Sequence, residues 1–166
     1  MGDGKVYETA AAGVVEFKKA VGLEFEAGTT LRLFFQDGQV RRYDVERLFG
    51  KYPQMKALKE RDLFTSGRLL GSSGVVWNDE LDVDAQTVYW EGDPVEDAKL
   101  PAALAAGCAV FSARLAAGLS QAELSASTGI DQSDISKIER GVANPSVGTL
   151  ERIADALGGD LKVVIA

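Results

Sequence analysis

Hydrophobic residues recur at every second position in the first part of the chain. Between Val14 and about Tyr43 this period of two includes Leu31, Leu33 and Phe35, a pattern typical of strands with one buried face. The pair Asp37-Gly38 follows, and both residue types tolerate the positive φ angles of a tight type I′ turn. The pattern therefore predicts a meander of short antiparallel strands with a hairpin at this pair.

The pattern then changes several times before the chain reaches residue 95. In order, we expect helical turns at 44–50 and 54–60 separated by Pro53, a glycine-containing loop at 65–74, and closing strands at 75–77 and 87–90. The periodicity stops near Glu91-Gly92-Asp93-Pro94, where Pro and Gly are typical of a linker. We therefore predict a small α+β domain at 1–95 and a second domain at 96–166.

Helix signals begin in the second domain at Ser120. Ser120 and Glu123 form a capping-box pattern, in which each side chain can bond the backbone N–H of the other. Leu124 is expected in the core, and Gly129 supplies a turn that a side chain would obstruct. A helix followed by a sharp turn is therefore predicted here.

A second helix is predicted to start at Asp131, a favourable N-cap residue. Ile135 and Ile138 are three positions apart and share its buried face. The residues expected on its other faces are Gln132, Ser133, Ser136 and Lys137. Gly141 ends this helix, and Pro145-Ser146 opens another, which gives an all-α domain of four to five helices.

Two further segments at either end of this domain carry expectations. The uncharged run between Lys99 and Arg114 is too short to span a bilayer, which takes about 20 apolar residues, and is predicted to be a buried helix. Leu161 to Ile165 predicts a strand that pairs either with a second copy or with the amino-terminal sheet. The start of the sequence has neither a signal-peptide pattern nor a myristoylation signal, so we expect a cytoplasmic protein without membrane contact.

Composition removes several classes of chemistry. The chain has no histidine and one cysteine, which excludes Ser-His-Asp and Cys-His catalytic sites, Cys/His zinc sites and an internal disulfide. Enzymes that use only carboxylates or lysines remain open, although no enzyme and no cofactor is predicted. The net charge is -7, with -5 on residues 1–100 and -2 on residues 101–166, so neither part has the basic excess that phosphate binding favours.

The second domain resembles the lambda-repressor and Cro family of helix-turn-helix proteins. The residues that carry the resemblance run from Arg114 through Gly118-Leu119-Ser120-Gln121, Leu124, Gly129-Ile130, Gln132-Ser133, Ile135-Ser136, Ile138-Glu139-Arg140-Gly141, Pro145-Ser146, Thr149-Leu150 and Ile153-Ala154 to Leu157-Gly158. Thr128 departs from the family, which usually has an aliphatic residue there, and is expected to loosen the core slightly.

The resemblance implies a role for each matching position. Gln121, with the helix that begins at Ser120, would hold a DNA phosphate through side-chain and unpaired N–H groups. Gln132, Ser133, Ser136 and Lys137 would face the major groove, where Gln can bond adenine and Lys can bond guanine. Arg114 and Glu139 would form a structural ion pair. Asp134 on the same helix would repel phosphate and is not expected to be a contact.

The first domain resembles a small bacterial domain family of unknown function. The matching residues are Phe35-Gln36-Asp37-Gly38, Tyr43-Asp44, Leu48, Asp62-Leu63-Phe64, Val76-Trp77, Leu81-Asp82 and Val88-Tyr89. This resemblance implies an α+β fold and no known activity, so it assigns no functional residues.

Other candidate sites have simpler structural interpretations. The acidic residues Asp79, Glu80, Asp82 and Asp84 lack the spacing of a calcium loop and are expected to be exposed on a strand. Gly67, Gly71 and Gly74 are expected to be loop glycines, because no Gly-Lys-Ser/Thr follows them. Cys108 is expected to be a small core residue. Arg32, Arg41 and Arg42 predict a solvated edge face, with a phosphate- or partner-binding patch as the alternative.

These observations favour a dimeric transcriptional regulator that binds double-stranded DNA. Two copies on a palindrome, with recognition helices about 34 Å apart, would multiply the contacts of a weakly binding domain. In this hypothesis the amino-terminal domain senses a small ligand or binds a protein partner, and the regulator is a repressor or an antitoxin of a toxin–antitoxin pair. The alternative is a protein-interaction module that keeps the helix-turn-helix as a scaffold.

Overall fold

The computed structural model describes residues 7–8 and 14–165. The chain divides into two compact units. The first unit consists of residues 1–35 and 39–97, and the second of residues 36–38 and 98–166. The first unit mixes sheets with short helices and the second is helical, which confirms the α+β class. The domain boundary after residue 95 stays a prediction.

Strands in the described part of the first unit form three antiparallel sheets. Their bounds are β1 Tyr7–Glu8, β2 Val14–Val15, β3 Ala20–Phe25, β4 Thr30–Phe35, β5 Val40–Asp44, β6 Arg68–Leu69, β7 Gly74–Asn78, β8 Leu81–Asp84 and β9 Asp93–Pro94. The sheet orders are β1-β2, β3-β4-β5-β9 and β6-β7-β8. The predicted meander is confirmed by β3, β4 and β5, which pair in sequence order.

Short helices connect these strands. Two 3-10 helices span Val45–Leu48 and Pro53–Lys59, followed by the α-helices α1 at Arg61–Thr65 and α2 at Ala85–Glu91. The predicted helical turns are therefore confirmed. Pro53 opens the second 3-10 helix, a position where its missing N–H costs no hydrogen bond.

The core of the first unit lies on one face of the four-stranded sheet. Leu31, Leu33 and Phe35 are fully buried on β4, as the period of two predicts. Tyr43 on β5 pairs across the ladder with Leu31 and is also fully buried.

The β4–β5 hairpin uses a different turn from the predicted one. Phe35 donates its N–H to the carbonyl of Gln39 at 2.8 Å, which leaves a three-residue loop. Gly38 has φ of 87°, whereas no non-glycine residue in the described part of the chain, Asp37 included, has a positive φ. The expected type I′ turn is therefore wrong, because three-residue hairpin loops need one left-handed residue and Gly38 provides it.

Residues 87–90 form a helix, so the predicted closing strand is wrong. Asp84 caps α2 by accepting the N–H of Gln86. Ala85, Val88 and Tyr89 are buried, and their spacing of three and four matches one face of a helix. The β-branched and aromatic composition that favoured a strand here is overridden by this cap and by packing.

The charged and glycine-rich segments of the first unit follow the predictions in part. Asp82 and Asp84 on β8 are exposed and alternate with buried residues, as expected. Gly74 begins β7 and is not a loop glycine, since a Cβ there would lie 2.2 Å from the carbonyl oxygen of Val83. No metal-binding group of His, Cys, Asp or Glu occurs among the described residues.

The three arginines do not lie on an edge strand, contrary to the prediction. Arg32 is on β4 and Arg42 on β5, and both strands have a neighbour on each side. Arg42 bonds both carboxylate oxygens of Glu26 at 2.8 and 3.1 Å, and Arg32 bonds Glu24 at 2.7 Å. Arg32 therefore pairs with the residue directly opposite it on β3, which stabilises the sheet, and Arg42 pairs with a residue just beyond the end of β3.

Four helices make up the described part of the second unit: α3 Ala102–Ala116, α4 Gln121–Thr128, α5 Gln132–Glu139 and α6 Val147–Ala156. The core residues of this unit are Val110, Leu124, Ile135, Ile138 and Ile153. The predicted helix-turn-helix elements and their order are therefore present.

One prediction for this unit needs correction. Helix α3 is buried on one side only, because Ala105, Ala109 and Ala113 are exposed. Residues 161–165 lie outside any strand in the single chain, and the strand expected there, which needs a partner edge, stays a prediction. Cys108 is buried as expected, and burial raises the pKa of its thiol.

Within the described residues, no single helix is both long and apolar enough to cross a membrane. Helices α3 and α4 together are long and apolar enough, but the chain bends by 99° between them.

Candidate nucleic-acid interface

Helix α4 begins with the predicted capping box. Ser120 accepts the N–H of Glu123 at 3.1 Å, and the Glu123 carboxylate accepts the N–H of Ser120 at 2.7 Å. These hydrogen bonds lower the pKa of Glu123. The box occupies two backbone donors and leaves the other N–H groups of the first turn, including that of Gln121, without helical partners.

The turn between α4 and α5 depends on one glycine and one hydroxyl. Gly129 has φ of 71° and ends α4 in the left-handed region, as the sequence predicts. The Ser125 hydroxyl donates to the carbonyl of Ile130 at 2.6 Å. The left-handed conformation of Gly129 and the Ser125 hydrogen bond together fix the angle at which the chain enters α5.

Thr128 makes two hydrogen bonds at the end of α4. Its hydroxyl donates to the carbonyl of Leu124 at 2.7 Å and accepts the N–H of Ile130 at 3.2 Å. The side chain is buried, so an unbonded hydroxyl would be costly there. The polar residue is thus satisfied by local backbone, a bonding pattern common for Thr near helix ends.

Helix α5 has a buried face and an exposed polar face. Ile135 and Ile138 are buried, as predicted. Gln132, Ser133 and Lys137 are exposed, and Ser136 is half-buried. The structure therefore places three of the four predicted groove-facing side chains in solvent along one short helix.

The start of α5 differs from the predicted cap. Asp131 occupies the N-cap position, but its side chain makes no cap hydrogen bond. Its carbonyl accepts the N–H groups of Asp134 and Ile135 at 2.9 and 3.1 Å. The first-turn N–H groups of α5 are consequently not covered by a carboxylate.

A buried ion pair joins α3 to the end of α5. Arg114 donates to both carboxylate oxygens of Glu139, at 2.6 and 2.9 Å. Arg114 also donates to the carbonyl of Leu119 at 2.8 Å, and Glu139 is fully buried. This bidentate geometry is the strong form of a charged hydrogen bond.

Gln121 extends this ion pair toward the surface. Its side-chain nitrogen donates to Glu139 at 2.8 Å, a contact that the sequence reasoning missed. Gln121 is half-buried. A carboxamide nitrogen has two N–H groups, so one remains for a partner outside the chain.

Helices α3 and α5 approach each other closely at Gly107. A Cβ on Gly107 would lie 2.2 Å from the carbonyl oxygen of Ile138. Only a residue without a side chain fits at this crossing. The sequence reasoning did not single out this glycine, although a glycine inside an alanine-rich helix is itself a signal of close packing.

Charges around α5 are mixed. Lys137 forms an ion pair with Asp134 at 3.4 Å, one turn away on the same helix. Arg140 at the end of α5 is exposed and donates to the carbonyl of Ser136 at 3.3 Å. A hollow of about 410 Å³ lies beside the start of α5 and is lined in part by Asp131, Asp134 and Asn144. The face therefore has cations at one end and carboxylates at the other.

Comparisons with known proteins agree with this arrangement. A helix-turn-helix family model matches residues 111–164. An uncharacterised HTH-type transcriptional regulator, y4dL of Sinorhizobium fredii (strain NBRC 101917 / NGR234), is 51% identical over 55 residues. That match spans 33% of this chain and 27% of the relative, so it covers well under two thirds of the relative's length.

The crystal structure of protein NE0471 of Nitrosomonas europaea ATCC 19718 overlaps 82% of this chain and 84% of its own, at 20% identity and a TM-score of 0.38. At that score the similarity supports no inference about this chain. The order of helices α3 to α6, the left-handed Gly129 and the family match agree with one another. Residues 111–164 of this chain are therefore similar to helix-turn-helix proteins.

Proposed function

We propose that the protein is a sequence-specific transcriptional regulator that binds double-stranded DNA as a dimeric repressor and reads the major groove with α5. The observation that carries the proposal is the two-faced character of α5. Ile135 and Ile138 anchor it in the core, while Gln132, Ser133 and Lys137 remain exposed. The major groove admits an α-helix with such a polar face.

The polar residues of α5 have side chains that can read base edges. The Gln132 amide can bond N6 and N7 of adenine together, and the Lys137 ammonium can bond O6 or N7 of guanine. Ser133 and Ser136 can donate to or accept from either base type. Sequence preference would arise from these contacts.

Phosphate contacts would come mainly from uncharged donors. The first-turn N–H groups of α4 that the capping box leaves unbonded, and the second N–H of the Gln121 amide whose first bonds Glu139, are the donors that would do so. Helix N-termini hold phosphates through such N–H groups and through the helix dipole. This mode suits a segment whose net charge over residues 101–166 is -2.

The proposal is tested by titrating the full chain against DNA from its own upstream region at several salt concentrations. Lys137→Ala and Gln132→Ala should weaken binding, each by roughly tenfold, since a good base contact contributes about 1–3 kcal/mol. Lys56→Ala is the matched control, because Lys56 is an exposed lysine of the first unit. Absence of specific binding by the folded protein at low salt would overturn the proposal.

A second candidate is a protein-interaction module that uses the helix-turn-helix as a scaffold. The carboxylates Asp131 and Asp134 beside the start of α5 favour it, because they repel phosphate. The same titration separates the two. An Asp134→Asn variant that gains DNA affinity without gaining sequence preference would support the second candidate.

A further inference from the structure

Three apolar side chains project into solvent after α6. Val163, Val164 and Ile165 are 70%, 82% and 97% exposed. The segment that contains them lies in no strand or helix. Consecutive apolar residues at this level of exposure mark an interaction site in a soluble domain.

An apolar groove lies next to this segment. Its volume is about 530 Å³, and its walls include Ala105 and Ala109 of α3 and Leu150 and Leu157 of α6. All five residues from Asp160 to Val164 of the segment line it as well. Groove and segment are thus one continuous surface on the second unit.

We propose that this surface binds a second copy of the chain, with Gly159 to Val163 pairing antiparallel with the same segment of its partner about a two-fold axis at Leu161. A two-fold interface brings each residue against its symmetry mate or exchanges two residues across the axis. In this register, Asp160 lies opposite the partner's Lys162, and Lys162 opposite the partner's Asp160.

The charges of Asp160 and Lys162 favour a second copy of the chain as the partner, and they favour this register. Asp160 and Lys162 are both exposed, and neither forms an ion pair within the part of the chain that the structure describes. Opposite charges directly across an antiparallel pair are stabilising, whereas like charges there are destabilising. No sheet edge in the described part of the chain takes up the segment, so the backbone groups of residues 160–163 remain available for pairing, while the Gly159 N–H already donates to the carbonyl of Ala154 at 2.9 Å.

The same register assigns the apolar residues to the groove. Successive side chains of a strand point to opposite faces, so Leu161, Val163 and Ile165 share one face, and Asp160 and Lys162 share the other. In the dimer the apolar face covers the groove, while Asp160 and Lys162, which border the groove in the single chain, form ion pairs at its rim. This proposal rests on the proposed function in one respect: it names the contact that holds together the dimer that would bind a two-fold symmetric DNA site.

A charge-swap experiment on the full chain tests the pairing without DNA. Sedimentation equilibrium should show a reversible dimer for the wild type. Lys162→Asp alone, or Asp160→Lys alone, should weaken the dimer by roughly tenfold or more, because each places like charges opposite each other twice. The double variant Asp160→Lys with Lys162→Asp should restore it.

Val163→Asp should also dissociate the dimer, whereas Val147→Asp, at an exposed valine of α6, should leave it intact. Since all these side chains are exposed, helicity should stay unchanged in every variant. A monomeric wild type, or a dimer that withstands both Lys162→Asp and Val163→Asp, would overturn the proposal. A dimer that behaves as expected but fails to bind DNA would refute the proposed function alone.

Discussion

The side-chain amide of Gln121 donates a 2.8 Å hydrogen bond to the fully buried carboxylate of Glu139. The first residue of α4 is thereby fixed to the last residue of α5. If Gln121 holds a phosphate, its orientation is set by a group that never reaches the surface. Preorganisation of this kind reduces the entropy lost on binding.

Replacement of Gln121 by alanine should separate binding from folding. We expect Gln121→Ala to lower DNA affinity by about tenfold or more, because a hydrogen bond to a charged group contributes about 1.5–3 kcal/mol. The urea midpoint should change little, since Glu139 retains both bonds from Arg114. Fluorescence anisotropy with labelled DNA and urea unfolding by circular dichroism measure the two effects. Equal losses in both would mean that Gln121 is only structural.

Removal of the Glu139 carboxylate should lower the stability of the fold far more than Gln121→Ala does. Glu139→Ala leaves the Arg114 guanidinium buried without its partner, and breaking such a pair costs about 3–5 kcal/mol. The double variant Arg114→Met with Glu139→Leu removes both charges and should recover most of the loss. Urea unfolding of the three proteins gives the comparison. A Glu139→Ala protein as stable as the wild type would show that the pair adds nothing to the fold.

The capping box should make the stability of α4 dependent on pH. The hydrogen bond from the Ser120 backbone lowers the pKa of Glu123 below its ordinary value of 4.5. Its folded pKa is thus lower than its unfolded pKa, so the stabilisation is present above the unfolded pKa and is lost as pH falls through the folded pKa. We expect Glu123→Gln to lower the melting temperature at neutral pH, with the difference vanishing in acid.

Glu151→Gln, at an exposed glutamate of α6, is the control for this pH dependence. Thermal melts of the three proteins at several pH values should show a gap that closes in acid only for Glu123→Gln. A gap that is constant with pH, or equal in the control, would contradict the capping role. Ser120→Ala removes the other half of the box and should cost about 1 kcal/mol at any pH.

At Thr128 the family resemblance and the structure predict opposite effects of a substitution on stability. The family resemblance favours an aliphatic residue there, which predicts that Thr128→Val stabilises the core. The structure predicts the opposite, because valine would leave the Ile130 N–H without its acceptor, at a cost of about 1 kcal/mol. Thr128→Ser retains the hydroxyl and loses a methyl group. If urea unfolding ranks valine above threonine, the hydroxyl contacts are dispensable.

Local signals were sufficient for much of the fold. The Ser120 cap and the Gly129 turn could be read because both depend on residues within a few positions of each other. The period of two at Leu31 and Leu33 likewise follows from one buried sheet face. Each of these features is set by chemistry that a short window of sequence contains.

Features that depend on distant contacts could not be predicted in the same way. Val88 and Tyr89 have strand-like composition, and the burial of one face of α2, together with the Asp84 cap, favours a helix instead. The Gln121–Glu139 bond joins residues 18 positions apart, and no periodicity indicates it. The edge position expected for Arg42 failed because β9, a two-residue strand, covers β5.

The crossing of α3 and α5 allows a last comparison between two glycines. Gly107→Ala places a Cβ 2.2 Å from the Ile138 carbonyl oxygen, and backbone cannot move aside as a flexible side chain can. Such overpacking costs about 1–3 kcal/mol. Gly148 lies in α6, where the nearest atom to an added Cβ is 4.0 Å away. Alanine there should stabilise the helix by about 0.5–1 kcal/mol, because it reduces the backbone entropy lost on folding.

The two substitutions make the same chemical change, so helix propensity alone would predict stabilisation in both. Opposite signs in urea unfolding would therefore isolate the helix crossing. Since Ile138 lies on the buried face of α5, displacement of α5 by Gly107→Ala should also weaken DNA binding, whereas Gly148→Ala should not. If both alanines stabilise the protein, an added Cβ at Gly107 does not clash with the Ile138 carbonyl oxygen, and the close approach of α3 and α5 would be contradicted.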